Sequence, residues 1–431
     1  MKPLKREDIV LFLNKKLIVS IKDDILIEQK PLKVGAIFIV TLGILSMLPP
    51  LGVDMYLPAF LLIAQDLNVT PEKVQHTLTF FAAGMAIGQL FWGPVGDSYG
   101  RKPIILLGVT ISAIAALILT NIQSIGNFTA LRFVQGFFGA APVVLVGAIL
   151  RDLFNKNELS KIMSSITLVF MLAPLLAPII GGHLVSWFHW HSIFYVISFM
   201  GLLSCLLVLV LIPETHHKEK RIPLRLGVVG RNFLSLCKQK EVLGYMFASA
   251  FGFGGLFALI TAGSIVYVGL YGVPVDQFGY FFMLNIGVMT IGSALNGKIV
   301  NKVGTETMLR VGLAIQFIAG IGLIMVSILD LGFWTMTCFL AIFAGQNPLI
   351  SSNAMASILE KFPTMAGTAN SMVGSVRFGT GAIVGSLVAL MPMKTPAPML
   401  LTMALCSIIG VSCYYFLTYR NLNKADGQAH D

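Results

Sequence analysis

Apolar runs of about 20 residues recur twelve times along this chain, and each is long enough to cross a bilayer's hydrocarbon as an α-helix. The runs fall at about 35–59, 75–96, 103–121, 128–150, 161–185 and 191–212, then 242–270, 277–299, 307–328, 332–357, 367–391 and 396–418. No soluble core accommodates so many. Of the 431 residues, 56% are apolar and only 12% charged, against about 45–50% and 25% in soluble domains. Buried area rises too slowly with chain length to absorb that excess. A soluble enzyme, a nucleic-acid-binding protein and a disordered chain are excluded, which leaves an all-α integral membrane protein.

The basic residues test the count. With the N-terminus placed inside, 26 of the 30 Lys and Arg lie on cytoplasmic segments and two, Lys73 and Lys394, on the opposite loops. Miscounting one central span would destroy this positive-inside bias. The net charge of +10 is therefore a topology signal, not a nucleic-acid footprint. Both termini are expected in the cytoplasm. Residues 1–33 read as a cytoplasmic tail, since Asn14-Lys15-Lys16 interrupts the apolar stretch that a cleavable signal needs. The five cysteines have no metal-type spacing and imply no disulfide framework.

A basic stretch at 213–241 divides the spans six and six, giving bundles at 34–212 and 242–418, with a tail at 419–431. The halves share a pattern between their second and third spans. Gly93-Pro94-Val95-Gly96-Asp97-Ser98-Tyr99-Gly100-Arg101-Lys102 aligns with the segment from Gly297 to Glu306, placing Gly297, Asn301 and Gly304 opposite Gly93, Asp97 and Gly100. Two pseudo-symmetric six-helix bundles are the expected architecture, with substrate held at their interface near the midplane.

The segment 93–102 resembles the G-x-x-x-D-x-x-G-R-[KR] loop of the major facilitator superfamily. Arg132-Phe133-Val134-Gln135-Gly136 resembles that family's fourth-helix R-x-x-Q-G signature, and Ala177-Pro178-Ile179-Ile180-Gly181-Gly182 its fifth-helix antiporter motif, with alanine where glycine is common. Asp54-Met55-Tyr56-Leu57-Pro58-Ala59, with Trp190-His191-Ser192-Ile193-Phe194, is similar to the bicyclomycin-resistance-type drug exporters. The resemblance implies exchange rather than symport. It also implies a latch at Gly93, Gly96, Asp97, Gly100, Arg101 and Lys102, in which Asp97 docks on the start of helix 11, and an arginine at position 132 that tunes a helix-1 carboxylate.

Charge inside the hydrocarbon costs several kcal/mol, about 3 or more by insertion scales, and marks a functional candidate. Of twenty acidic residues, Asp54 alone lies well inside an apolar run, bracketed by Pro49-Pro50 and Pro58. It is the expected proton carrier; the competing reading is a fixed ion pair with helix 4. Arg132 either faces the cavity or snorkels to an interface, and Gln135 shares its face. Arg377 on helix 11 has no evident partner in its own half, so it lines the cavity or pairs across the bundle. Tyr56, Asn285, Gln346 and Asn347 join the expected substrate cavity, although neutral polar groups at depth more commonly glue helices.

Other signals fail. Gly292 to Lys298 mimics a phosphate loop, but Ile299 stands where Ser or Thr is required. His189-Trp190-His191 reads as an interfacial aromatic cluster rather than a metal site. No Ser/His/Asp order supports an enzyme. The expected function is proton-coupled export of drugs or other small amphipathic molecules from the bacterial cytoplasm across the inner membrane. No cofactor or metal is expected; the partners are a small molecule, protons and lipid, and the protein acts as a monomer without nucleic acid. Export of one specific metabolite, or a sensor that transports nothing, are the alternatives.

Overall fold

The computed structural model describes residues 36–216, 218–221, 223, 226–362 and 366–421. The expected N-terminal tail and residues 422–431 lie outside the described residues. Among the described residues, twelve helices are long and apolar enough to cross a membrane. In the first half they are Ala36–Asp66, Pro71–Tyr99, Arg101–Leu119, Ile125–Leu153, Ile162–Trp187 and His191–Leu211. In the second they are Lys240–Leu270, Phe278–Val303, Thr305–Leu329, Phe333–Lys361, Gly367–Ala389 and Ala397–Tyr419. We number these spans 1 to 12 in chain order.

The packing repeats with a period of six spans. Span 1 lies on 5 and 6, and span 7 on 11 and 12. Span 4 packs on 2 and 3, as span 10 does on 8 and 9, and the 3–6 contact has its image in 9–12. The two halves meet along spans 2 and 11 and along spans 5 and 8, which are images of one another under the same shift. The turn that suggested the repeat obeys it. Gly100 (φ +106°, ψ 154°) and Gly304 (φ +85°, ψ 157°) hold nearly the same conformation, one that side-chain-bearing residues rarely adopt.

Close helix contact depends on missing side chains. A Cβ on Gly136 would strike the Phe81 carbonyl, and one on Gly84 the Phe133 carbonyl, so spans 2 and 4 approach backbone to backbone. The basic stretch between the halves is not all loop: Leu226–Cys237 is a helix, and its Leu236 joins a core cluster with Val242, Tyr245 and Met246.

The two contacts between halves differ. Spans 2 and 11 meet along their length, through a Thr79–Ser386 hydrogen bond (3.1 Å), through Gly374 against the Gln89 amide, and through Gly93 near Ser371. Spans 5 and 8 touch at the end away from the chain termini, where a Cβ on Gly279 would lie 2.6 Å from the Ile179 nitrogen and one on Gly182 2.7 Å from the Val275 oxygen. Toward the termini they part. No residue of span 8 beyond Asn285 is buried, and Leu168 of span 5 and Ile291 of span 8 are 69% and 62% exposed. The bundle is shut at one end and, at the end that carries the chain termini, parted between spans 5 and 8 while spans 2 and 11 stay in contact.

Candidate substrate and proton site

Span 1 is broken where its acid lies. The α-helix ends at Asp54, a 3₁₀ turn covers Leu57–Ala59, and α-helix resumes at Phe60. Pro58 has no N–H to offer the Asp54 carbonyl four residues back, which is why the ladder fails there. Asp54 is 7% exposed. Among the described residues, no hydrogen bond or ion pair holds its carboxyl.

Arg132 does not pair with that acid. Its Nη2 donates to the Gly52 carbonyl (2.9 Å) and its Nη1 to Gln135 Oε1 (2.6 Å). The guanidinium also lies 4.6 Å from the Tyr56 ring centre and 4.5 Å from that of Phe81. Arg132 is wholly buried, so it does not snorkel either. The fixed ion pair considered from the sequence is replaced by a tie to backbone two residues before Asp54. Tyr56 needs the same correction, because in this conformation it is a core residue, and Gln135 is also buried, lining only a small cavity inside the first half with Pro49, Phe81 and Ser112. The Tyr56 hydroxyl hydrogen-bonds Thr77 (2.7 Å) and its ring packs on Phe60, Phe128 and Phe194. Aromatic packing around the guanidinium closes the space the sequence reading left open.

The second half repeats the device. Asn347 of span 10 donates to the Gly252 carbonyl of span 7 (2.9 Å), as Arg132 of span 4 does to Gly52 of span 1. Asn347 is thus helix glue, sealed in this state; Asn285 is also buried. Gln346 is half-buried and bonds back to the Ile342 carbonyl (3.3 Å). Arg377 differs. It is half-buried near the middle of span 11, its guanidinium 4.9 Å from the Phe253 ring centre, and its Nε has no partner. The sequence reading missed Thr79, Gln89 and Ser386, the polar groups at the contact of spans 2 and 11. Neutral side chains in apolar runs give no charge signal to find them by.

At the termini end, Asp97 forms an ion pair with Arg101, whose Nε lies 3.5 Å from Asp152. Glu214 accepts the backbone N–H of Arg101 (3.0 Å) and of Lys102 (3.3 Å), an anion at the N-terminus of span 3. The start of span 11 is described from Ala366, and among the described residues Asp97 pairs with Arg101 and not with that helix, where a Cβ on Gly367 would lie 3.5 Å from Arg151 Nη2; the expected docking is not formed in this state. Gly96 packs on Leu145 and Gly93 faces Ser371. In span 5, Ala177 and Pro178 are buried, Gly181 abuts the Met55 carbonyl at the break in span 1, and Gly182 abuts Val275 and Asp276 of the second half. Two adjacent glycines therefore connect the break beside Asp54 to the contact between halves.

At the closed end, Asp66, His189 and His191 converge, their ligand-type atoms all within 4.8 Å of one another. Trp190 Nε1 donates to Asp66 (2.9 Å), and its ring stacks on His191 at 3.7 Å. The aromatic cluster read from the sequence is present; the aspartate, from the far end of span 1, was not foreseen in it.

Comparison with known proteins agrees with this architecture. A family model described as Major Facilitator Superfamily matches residues 42–386. A bicyclomycin resistance protein homolog of Haemophilus influenzae is 71% identical over 388 residues, covering 90% of this chain and 98% of the relative. Multidrug resistance protein MdtL of Shewanella oneidensis is 26% identical over 85% of this chain and 92% of its own length. Among solved structures, a D-xylose-proton symporter superposes with a TM-score of 0.69 at 14% identity, covering 88% of this chain and 96% of that one.

Proposed function

This chain belongs to the major facilitator superfamily, and from that premise we propose that it exports drugs or other small amphipathic molecules in exchange for protons, with Asp54 as the exchanging carboxyl. It is a transporter and not an enzyme, and a multi-pass protein of a bacterial inner membrane. The drug class follows the names of its relatives, of which the Haemophilus influenzae protein shares most of this sequence. The observation that carries proton exchange is Asp54, a deep acid that no cation pins and that sits beside a break in its helix. A carboxyl so placed gains or loses its proton as its surroundings change.

The charge bias makes the termini end cytoplasmic, so the state seen faces inward. In the proposed cycle a molecule enters between spans 5 and 8, Asp54 gives up its proton, and the halves rock about the contact of spans 2 and 11. The drug then leaves outward and a proton from outside reloads Asp54. Gly181 and Gly182 carry movement at the break to the contact between halves, and Asp97 with its neighbours serves as the latch that forms when the cytoplasmic side shuts. One chain supplies both halves of the cavity, so the monomer suffices. The cycle draws on the proton gradient and needs no cofactor.

The test is lumenal pH in respiring inverted vesicles as bicyclomycin and other drugs are added. A drug-induced loss of the pH gradient with the parent, absent with Asp54→Asn, is the expected result. Equal responses from both would remove Asp54 from the exchange step. No response from either, while a cell metabolite does elicit one, would favour the metabolite exporter.

A further inference from the structure

We infer that Arg377 is the recognition point for an anionic group, a carboxylate or its chemical equivalent, on the exported molecule; the inference rests on the export reading above and narrows its substrate class.

Among the described residues two arginines lie deep in this membrane bundle; both leave Nε unpartnered, and they differ in their terminal nitrogens and their exposure. Arg132 has no exposed surface, and both its terminal nitrogens are held, by Gly52 and Gln135, among three aromatic rings, although its Nε has no partner. Arg377 stands near the middle of Gly367–Ala389 and keeps accessible surface. Among the described residues it forms no hydrogen bond or ion pair, and its buried Nε is unsatisfied.

No acid of its own half lies at that depth. Glu241, Asp276, Glu306, Asp330 and Glu360 all sit at span ends or in loops. Asp54, the other deep unpaired charge, is on span 1, which packs chiefly on spans 4, 5 and 6. An arginine stays protonated in such a place, and an unpaired charge in the hydrocarbon zone is strongly unfavourable. Facing the space between the halves, Arg377 can be hydrated while that space is open, and an anion on the transported molecule is the partner that would replace the water when it closes.

The immediate surroundings suit an aromatic acid. Phe253 lies under the guanidinium, and Phe378 packs edge-on against Phe253 at 5.3 Å. A planar guanidinium matches a carboxylate with two parallel hydrogen bonds, while the phenylalanine rings accept the apolar body of the molecule. The arrangement predicts preference for acids over their uncharged counterparts, not for the cationic drugs that an acid-only cavity would favour.

Binding to the purified protein in a non-ionic detergent tests this directly. Aromatic carboxylic acids, nalidixic acid among them, are titrated calorimetrically, each beside its methyl ester. The parent is expected to bind acid over ester by about tenfold or more, the worth of one good charge-assisted contact. Arg377→Gln should erase the preference while leaving ester affinity within about twofold, and Arg377→Lys should keep part of it. Equal binding of acid and ester by the parent, a preference that survives Arg377→Gln, or loss of both ligands in that variant would each overturn the assignment. So would a parent that binds none of the acids. The vesicle assay separates the two claims. Drug exchange without acid preference removes Arg377 from recognition and leaves export standing, whereas acid preference without exchange does the reverse.

Discussion

Arg132 shows how much a single side chain can be asked to hold at this depth. Removing it would strand the Gly52 carbonyl and the Gln135 amide and empty the space between the Tyr56 and Phe81 rings. A buried polar partner left unsatisfied costs about 1–3 kcal/mol, and here two are left. Arg132→Ala is therefore expected to lose about 3 kcal/mol or more against unfolding in detergent. Gln135→Ala, which removes one bond and leaves the other, should lose about half as much. Because the two share a contact, the double variant should lose less than both losses added; strict additivity would mean that the Arg132–Gln135 bond contributes nothing. That Arg132 matters was legible from its sequence, since a cation inside an apolar run demands a partner. The identity of the partner was not: a backbone carbonyl leaves no trace in the residue letters, and so the acid two positions on looked like the better candidate. Tyr56 was misjudged for a related reason, because only the fold brings Phe128 and Phe194 around it.

At the scale of helices, glycine decides which contacts exist. Gly181 meets the Met55 carbonyl where span 1 breaks, whereas Gly147 of span 4 has open space where a side chain would go. Gly181→Ala must push span 5 from span 1, at an expected cost of about 1–3 kcal/mol, and should abolish drug-induced proton release in vesicles. Gly147→Ala removes a flexible residue from a helix with nothing to collide with, and should leave exchange intact with equal or slightly higher thermal stability. If Gly181→Ala kept full exchange, the pair Gly181–Gly182 would not be the link between the break and the second half. The antiporter-type motif was readable as a string, and so was the break, from Pro49, Pro50 and Pro58. That motif and break touch was not readable. They are over a hundred residues apart and apolar on both sides, so no charge or periodicity pairs them.

For the whole molecule, the repeat in sequence foretold the repeat in packing, and the apolar runs together with the basic residues gave twelve spans. The conformation left no such mark, because inward- and outward-facing states use the same residues in the same helices. The contact of spans 5 and 8, shut at one end where Gly182 and Gly279 admit backbone against backbone, is the candidate for selecting between them. Gly279→Val would place side-chain atoms against Ile179 and force that end apart. Alternating access then requires the opposite end to close, since a carrier open at both ends would dissipate the gradient that drives it. A variant that disfavours one closed end by about 1.4 kcal/mol shifts the two populations about tenfold. Spin labels at Leu168→Cys and Leu295→Cys, on the termini ends of spans 5 and 8, report the change in a background where the exposed Cys237 and Cys338 are replaced by serine. The parent should give a long distance between the labels, and Gly279→Val a population at shorter distance. An unchanged distribution in a variant that still folds would mean that the glycine contact does not hold the closed end, and that the balance of states is set along spans 2 and 11 instead.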